Sequence, residues 1–277
     1  MGFRINTNVA SLQAQTSLGK VNRSSQESFA KLSSGERITK AADDAAGLAL
    51  SEKMKAEIRS SKQANRNAND GISMVQVAEG GLNETSNILT RMRELAVQAA
   101  SDTVGDVERG MSNLEYQSLK AEVDRISKVT EFNGTKLLNG TSDKIEFQIG
   151  TGGDEFEDRI GFEPGQLNSG LESLSVDSLD VSSKEGARDS LDTLDGAIDK
   201  ISSQRAILGS LQNRLVSTSN NIQVYTENMT AANSRIRDVD YAEETAKQAS
   251  NNILAAAGSS VLAQANMSGQ NALKLIG

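Results

Sequence analysis

Histidine, cysteine and tryptophan are all missing from the 277 residues, and proline occurs once. Each absence closes a class of function. Without histidine the chain lacks the usual general base near neutral pH and the commonest metal ligand, and without cysteine it has no thiol nucleophile and no disulfide framework. No catalytic residue, cofactor or metal site is therefore expected, and the chain is expected not to be an enzyme. A protein without thiols tolerates either side of a membrane, so export is allowed. Aromatic residues make up only 3% of the chain, which suits thin helical packing better than a thick interior. No run approaches the ~18 consecutive apolar residues of a membrane span. Met1-Gly2-Phe3-Arg4 leads into Ile5-Asn6-Thr7-Asn8 with no apolar h-region or small-residue cleavage site, so no cleaved secretory signal is expected. A net charge of −8 without a concentrated basic surface disfavours nucleic acid.

What is present is organised around one irregular window. Pro164 and Gly150 to Gly153 fall between residues 132 and 180, and no proline lies outside. Proline removes a helical donor and clashes with the preceding turn, so helices are expected before and after a compact middle. In the second half Leu194, Ile201, Leu208, Leu215, Ile222, Met229 and Ile236 recur at every seventh position. At 1.5 Å per residue this seam extends roughly 63 Å. The companion seam is weaker, because Leu191 and Ile198 fit it whereas Arg205 and Gln212 do not, which points to a bundle rather than a free two-stranded coil. The first half answers with Ala68, Val75, Leu82, Leu89 and Ala96, widened by Ile72 and Met92. A third stripe, Val107, Met111, Leu114, Leu119, Val123 and Ile126, follows Asp102-Thr103-Val104-Gly105-Asp106, which can end one helix and cap the next. Between these helices Ile145, Phe147 and Ile149 alternate with polar residues, and Phe156, Ile160 and Phe162 resume the alternation beyond a glycine turn. That pattern predicts a β-hairpin with an acidic, solvated side, and an acidic loop kept soluble by charge accounts for it as well.

The two ends are unlike the rest. No charged residue occurs from Ile5 to Gly19 or from Gln248 to Leu273, although 24% of the chain is charged. A solvated helix carries charge on its outer face, so these ends are built to have neighbours. Asn6, Asn8, Gln13 and Asn251, Asn252, Gln264 interrupt the apolar residues, which argues against membrane insertion. Ile5, Val9 and Leu12 at one end, and Ile253, Ala257, Val261, Leu262 and Ala265 at the other, are candidate subunit-interface residues on helical stripes that could meet. Ala255 to Gly258 would allow close approach. Such helices have little to hold them in a monomer, so both ends are expected to order only on contact with other copies. Unlike surfaces on identical subunits generate an open helical filament whenever the rotation does not close.

Over residues 1 to 140 and 185 to 277 the chain resembles bacterial flagellin. The stretches that carry the resemblance include Ile5-Asn6-Thr7-Asn8, Lys31-Leu32-Ser33-Ser34-Gly35, Ala41-Ala42-Asp43-Asp44-Ala45-Ala46-Gly47-Leu48, Asn69-Asp70-Gly71-Ile72-Ser73, Phe132-Asn133-Gly134-Thr135-Lys136, Gln212-Asn213-Arg214-Leu215, Ser234-Arg235-Ile236-Arg237-Asp238 and Leu262-Ala263-Gln264-Ala265-Asn266. Their number, order and spacing are specific where each alone is weak. The fold expected is mainly α: an elongated bundle of long antiparallel helices with paired terminal helices and a small β-hairpin tip. Residues 1-40 with 241-277 are expected to form a terminal coiled-coil core domain, 41-140 with 180-240 a helical bundle domain, and 141-179 a short hairpin or loop tip, with the family's outer domains absent.

The resemblance implies a structural subunit that polymerises into the flagellar filament for swimming motility. It implies export unfolded through the flagellar type III channel, an extracellular location, and no cleaved signal peptide. The partners it implies are other flagellin copies, paralogues included, an export chaperone on the C-terminal segment, and hook-associated junction and cap proteins. An animal innate immune receptor binds some flagellins at positions matching Arg91, Leu95 and Glu115, although ordinary bundle packing is the better account of these three residues. Rival readings are a hook-to-filament junction protein, which shares the terminal helices, and a cytoplasmic helical scaffold, which has no need of charge-free ends. An enzyme is remotest, since Asp43-Asp44 fit a helix cap and the acidic middle a solvated loop.

Overall fold

A computed structural model describes residues 7–274, with side chains described as far as Met267. The elements are α1 (Val9–Ser34), α2 (Ala45–Ala99), α3 (Asp106–Val129), β1 (Glu131–Phe132), β2 (Thr135–Lys136), β3 (Ile145–Gln148), β4 (Arg159–Phe162), a 3-10 turn (Pro164–Leu167), α4 (Leu171–Leu174), α5 (Lys184–Arg237) and α6 (Tyr241–Lys274). The fold is mainly α, as the confinement of proline implies. The chain divides into two compact units, Glu57–Glu227 and Met1–Ala56 with Asn228–Gly277.

In the Glu57–Glu227 unit, α2 and α5 run antiparallel, because the Tyr225 hydroxyl donates to Glu57 at 3.0 Å, Asn65 donates to the Ser219 carbonyl at 3.0 Å and Arg93 pairs with Asp195 at 2.6 Å. Leu194, Ile201, Leu208 and Leu215 are each wholly buried, as are Ala68, Val75, Leu82, Leu89 and Ala96 on α2. The companion seam on α5 lies one residue earlier than the sequence pattern places it. Ser190, Ala197, Gln204 and Leu211 are buried, while Leu191, Ile198, Arg205 and Gln212 are half-buried. Small side chains let α5 approach its neighbours on that side, and the Gln204 amide is used by donating to the carbonyls of Gln166 (3.1 Å) and Asn168 (3.3 Å).

α3 is joined to the end of α2 by Arg109, which is 8% exposed. Its guanidinium donates to the carbonyls of Ala99 and Ser101, both at 2.9 Å, satisfying groups that a helix C-terminus leaves open. The Glu108 carboxylate accepts the Gly105 N–H at 2.6 Å and fixes the start of α3. Only the second half of the α3 stripe enters the core. Val123 and Ile126 are buried and Leu119 is half-buried, but Val107, Met111 and Leu114 are 73%, 66% and 72% exposed. Tyr116 takes the inward position instead at 0% exposure, and burial pushes its hydroxyl up to about 12.

The segment from Thr130 to Ser183 packs against the helices. Asn133 (φ 49°) and Gly134 (φ 80°) make the two-residue loop between β1 and β2, a conformation that suits Asn-Gly. β3 and β4 pair antiparallel, with Ile145 opposite Phe162 and Phe147 opposite Ile160. The Phe147 and Phe162 rings stack at 6.4 Å between centroids, and Phe147 lies over Gly71, where a Cβ would stand 3.1 Å from the ring. Phe156, expected to share the hairpin's alternation, sits in the connecting turn and is 92% exposed. That turn is organised by Asp154, whose carboxylate accepts the N–H groups of Phe156 (2.8 Å) and Glu157 (3.1 Å).

Two outcomes test this packing. A Cβ at Gly81 would lie 2.7 Å from Leu138 Cδ1 and 2.8 Å from Thr130 Oγ1, so Gly81→Val is expected to cost about 1–3 kcal/mol in urea unfolding. The Arg93 guanidinium holds the Asp195 carboxyl below its ordinary value. A depressed folded-state pKa contributes stability above the unfolded value, near ~3.9, and loses it as pH falls through the folded value. Thermal melts of Asp195→Asn and wild type should therefore differ at pH 7 and converge at acid pH.

Candidate assembly surface on the terminal helices

The second unit contains α1 and α6, which carry no charge from Val9 to Gly19 and from Gln248 to Leu273. Their pairing is antiparallel, as shown by Tyr241 donating to the Leu32 carbonyl (2.7 Å), Gln248 to Ser25 Oγ (3.1 Å), Asn251 to Ser24 Oγ (3.1 Å), and Ser11 to Asn266 Oδ1 (2.7 Å). Asn8 caps α1 by accepting the Ser11 N–H at 3.0 Å and also donates to the Ala265 carbonyl at 2.8 Å. The inward positions follow alternating steps of three and four: Ser11, Ala14, Leu18, Val21, Ser25, Ser28 and Leu32 on α1, and Glu244, Gln248, Asn251, Ala255, Gly258, Leu262 and Ala265 on α6. This is coiled-coil spacing filled largely with small and polar residues. At Gly258 a Cβ would stand 3.2 Å from Leu18 Cδ1, so the helices approach closely there.

The seam is thinly satisfied. Ser28 is 0% exposed and its hydroxyl has no hydrogen-bond partner, and the same holds for one oxygen each of Glu244 and Gln248. Lys247 stands 3.7 Å from Glu244. Burying polar atoms without partners offsets much of what the contact gains.

Several large apolar side chains point the other way. Val9 is 62% exposed, Leu12 65%, Ile253 70%, Leu254 51%, Val261 57% and Met267 60%. The stripes read from the sequence at the two ends therefore do not meet each other. Val9, Leu12, Ile253, Ala257 and Val261 face outward, Leu262 and Ala265 lie half-buried in the seam, and Ile5 falls outside the described residues. Between the helices a groove of about 450 Å³ opens, lined by Ala14, Leu18, Val21, Leu254, Ala257 and Val261 among others. Uncharged and apolar, it suits another helix better than a small polar ligand. Among the described residues no helix is long and apolar enough to cross a membrane.

The base of this pair is held by an ionic and backbone knot. Glu36 bridges Asp238, Arg37 N–H donates to the Arg237 carbonyl at 2.6 Å, and Val239 N–H donates to the Gly35 carbonyl at 3.0 Å. Arg237 pairs with Glu36 at 2.8 Å and with Glu52, and these carboxylates raise its affinity for its proton. The Asp43-Asp44 pair does local work. Asp44 accepts the Gly47 N–H at 2.9 Å at the start of α2. Asp43 accepts from Lys40 N and Thr39 N at 3.0 Å, and the Lys40 and Thr39 contacts lower its pKa.

Of the other residues singled out from the sequence, the seam on α5 is wholly buried from Leu194 to Leu215, and Ile222, Met229 and Ile236 are half-buried. Arg91 and Glu115 are exposed and paired at 2.9 Å, with Glu94 2.8 Å from Arg91, while Leu95 is 3% exposed and belongs to the core. What sequence reasoning missed is the α1–α6 seam itself. Its signal was the three-four spacing of Ser, Ala, Gly and Asn, which a search for apolar residues passes over.

Comparison with known proteins converges on one family. The N-terminal helical region of bacterial flagellin matches residues 5–143, and the C-terminal helical region of bacterial flagellin matches residues 191–276. The chain is 43% identical to the flagellin of Bacillus subtilis (strain 168), covering 99% of this chain and all of that one. It is similar to the crystal structure of Bacillus cereus flagellin, with a TM-score of 0.50, 34% identity, and coverage of 61% of this chain and 94% of that one. A putative flagellar hook-associated protein from Vibrio parahaemolyticus shares the fold alone, with a TM-score of 0.58 at 13% identity over 71% of this chain and 100% of that one.

The outward stripe predicts a separable phenotype. Ile253→Asn with Val261→Asn should leave the circular dichroism of the monomer unchanged, because both side chains are exposed. The same pair should raise the concentration needed for self-association at least ~10-fold in sedimentation, since each lost apolar contact is worth about 1.5–3 kcal/mol when buried.

Proposed function

The chain belongs to the bacterial flagellins, structural proteins of the flagellar filament, and from that premise we propose that the outward face of α1 and α6 is the surface through which its copies pack. The family is a filament protein and not an enzyme, and the filament is an extracellular appendage made of flagellin copies. The observation that carries the proposal is the placement of Val9, Leu12, Ile253, Leu254 and Val261 on the outside of the charge-free stretches of α1 and α6, with small residues between them. A helix pair that buries little within its own chain is completed by neighbours.

The same thinness fits export as an unfolded chain without a cleaved signal, because few contacts have to be broken before passage and few re-form until a copy meets the growing end. A chaperone on the C-terminal segment would cover the apolar face of α6 in the meantime. Cap and hook-associated junction proteins would meet the same helices at the filament's two ends. With residues 141-179 in place of outer domains, the filament is slim. A receptor at the α2–α3 face would meet Arg91 and Glu115, with Leu95 supporting them from below. Ala257, which faces outward, shares that interface role, and Leu262 and Ala265 support it from the seam.

Removing residues 1 to 20 and 248 to 277 tests this reading. Full-length protein should form filaments under seeding or precipitant, and the truncated form should stay a folded helical monomer in sedimentation and circular dichroism. Polymerisation of both forms would overturn the role given to the ends.

A further inference from the structure

Asparagine followed by glycine occurs twice in the chain, at Asn133-Gly134 and Asn139-Gly140. The dipeptide is reactive because glycine has no Cβ to keep its own amide nitrogen from the side-chain carbonyl of the asparagine before it. Phe132-Asn133-Gly134-Thr135 and Leu138-Asn139-Gly140-Thr141 differ only in the leading apolar residue, so sequence alone gives both the same reactivity. The fold separates them.

Asn133 and Gly134 form the exposed loop between β1 and β2. Among the described residues no hydrogen bond reaches the Asn133 carboxamide or leaves the Gly134 N–H, and a Cβ at Gly134 would meet nothing within 4 Å. Carboxamide, nitrogen and solvent therefore share one open place. The strands that close the loop pair only Phe132 with Thr135 and Glu131 with Lys136, so this turn opens at little cost.

Asn139 and Gly140 are half-buried. The Asn139 side-chain oxygen accepts the Thr141 N–H at 3.1 Å. Leu138 before it is 0% exposed, and its carbonyl accepts the Ser169 N–H at 3.0 Å. A Cβ at Gly140 would stand 2.7 Å from Asn168 Nδ2. Opening this turn means lifting it off Asn168 and Ser169 and drawing Leu138 out of the core, which costs far more.

We propose that Asn133 is a site of spontaneous deamidation in the folded chain and that Asn139 is protected from it. When the β1–β2 loop opens, the Gly134 nitrogen attacks Asn133 Cγ. The N–Cγ bond forms, the Cγ–Nδ2 bond breaks, and the carboxamide nitrogen leaves as ammonia with the proton that the Gly134 nitrogen gives up. Water then opens the cyclic imide. Addition at Cγ leaves an aspartate, and addition at the main-chain carbonyl leaves an isoaspartate, whose backbone runs through Cβ and Cγ. Nothing is oxidised or reduced. Either product places a negative charge two residues from Glu131, which pairs with Lys136. The isoaspartate also lengthens the main chain of a two-residue loop by one carbon, and the Phe132–Thr135 pairing leaves no slack to take it up. The reaction is independent of the filament reading above.

Full-length protein incubated in warm, mildly alkaline buffer, folded or unfolded in urea, provides the test. Both asparagines are followed by peptide mapping with mass spectrometry and by isoaspartyl methyltransferase labelling. Conversion at Asn133 in the folded chain is expected to run at least ~10-fold faster than at Asn139, and in urea the two rates should converge. Equal rates in the folded chain, or a faster Asn139, overturn the proposal. A difference that persists unchanged in urea overturns it as well, because sequence and not the fold would then be choosing the site. A folded chain in which neither asparagine converts while both convert in urea also overturns it, because the closed turn would be protecting Asn133 too.

Discussion

A helix in water is marginal until one of its faces is covered, and in this chain the faces of α1 and α6 that most need covering point away from each other. Ser11, Ser28, Asn251 and Gly258 occupy the contact, and Val9, Leu12, Ile253 and Val261 the surface. The hydrophobic free energy available to the terminal helices is therefore mostly unspent within one chain. Absence of charge, exposure of large apolar residues and the open groove along the pair all follow from that single arrangement. So does the contrast with the Glu57–Glu227 unit, where Leu82, Leu89 and Met92 on α2 and Leu194, Ile201, Leu208 and Leu215 on α5 are wholly buried.

The two halves of the Glu57–Glu227 unit were unequally legible. The repeat of apolar residues at every seventh position identified the buried edge of α5 directly, because large aliphatic side chains occupy it. The companion edge was placed one residue late, since Ala197 and Gln204 are buried by close approach and by hydrogen bonding rather than by hydrophobicity. On α3 the pattern ran continuously from Val107 to Ile126, and a periodic stripe says only that a face is apolar. It does not say whether the cover comes from the same chain. Arg109, which the sequence presents as an ordinary surface cation, decides the matter by turning inward to the end of α2.

The site showed the same limit. The charge-free ends were visible as composition, and family motifs placed them together, yet the residues named for contact were the largest apolar ones. Val9, Leu12, Ile253 and Val261 lie outside, where other copies can reach them, and only Leu262 and Ala265 enter the seam. A seam of serine, alanine and asparagine carries little signal in hydrophobicity, and its three-four rhythm becomes apparent only once the burial of each residue is known. The hairpin was recognised from the alternation of Ile145 and Phe147, and Gly71, which lets Phe147 lie flat on α2, carried no mark that sequence alone would distinguish from flexibility.

The pairing of α1 with α6 also does something that a greasier seam would not. A run of leucines facing leucines is nearly indifferent to a slide of one heptad, because each step re-forms the same contacts. Ser11 with Asn266, Ser24 with Asn251 and Ser25 with Gln248 are not interchangeable in this way: a slip that sets Leu18 against Asn266 and Leu32 against Gln248 leaves both amides without a partner. The seam thus acts as a ruler rather than as glue, setting where one strand of the pair stops against the other and leaving the strength of the joint to be supplied from outside.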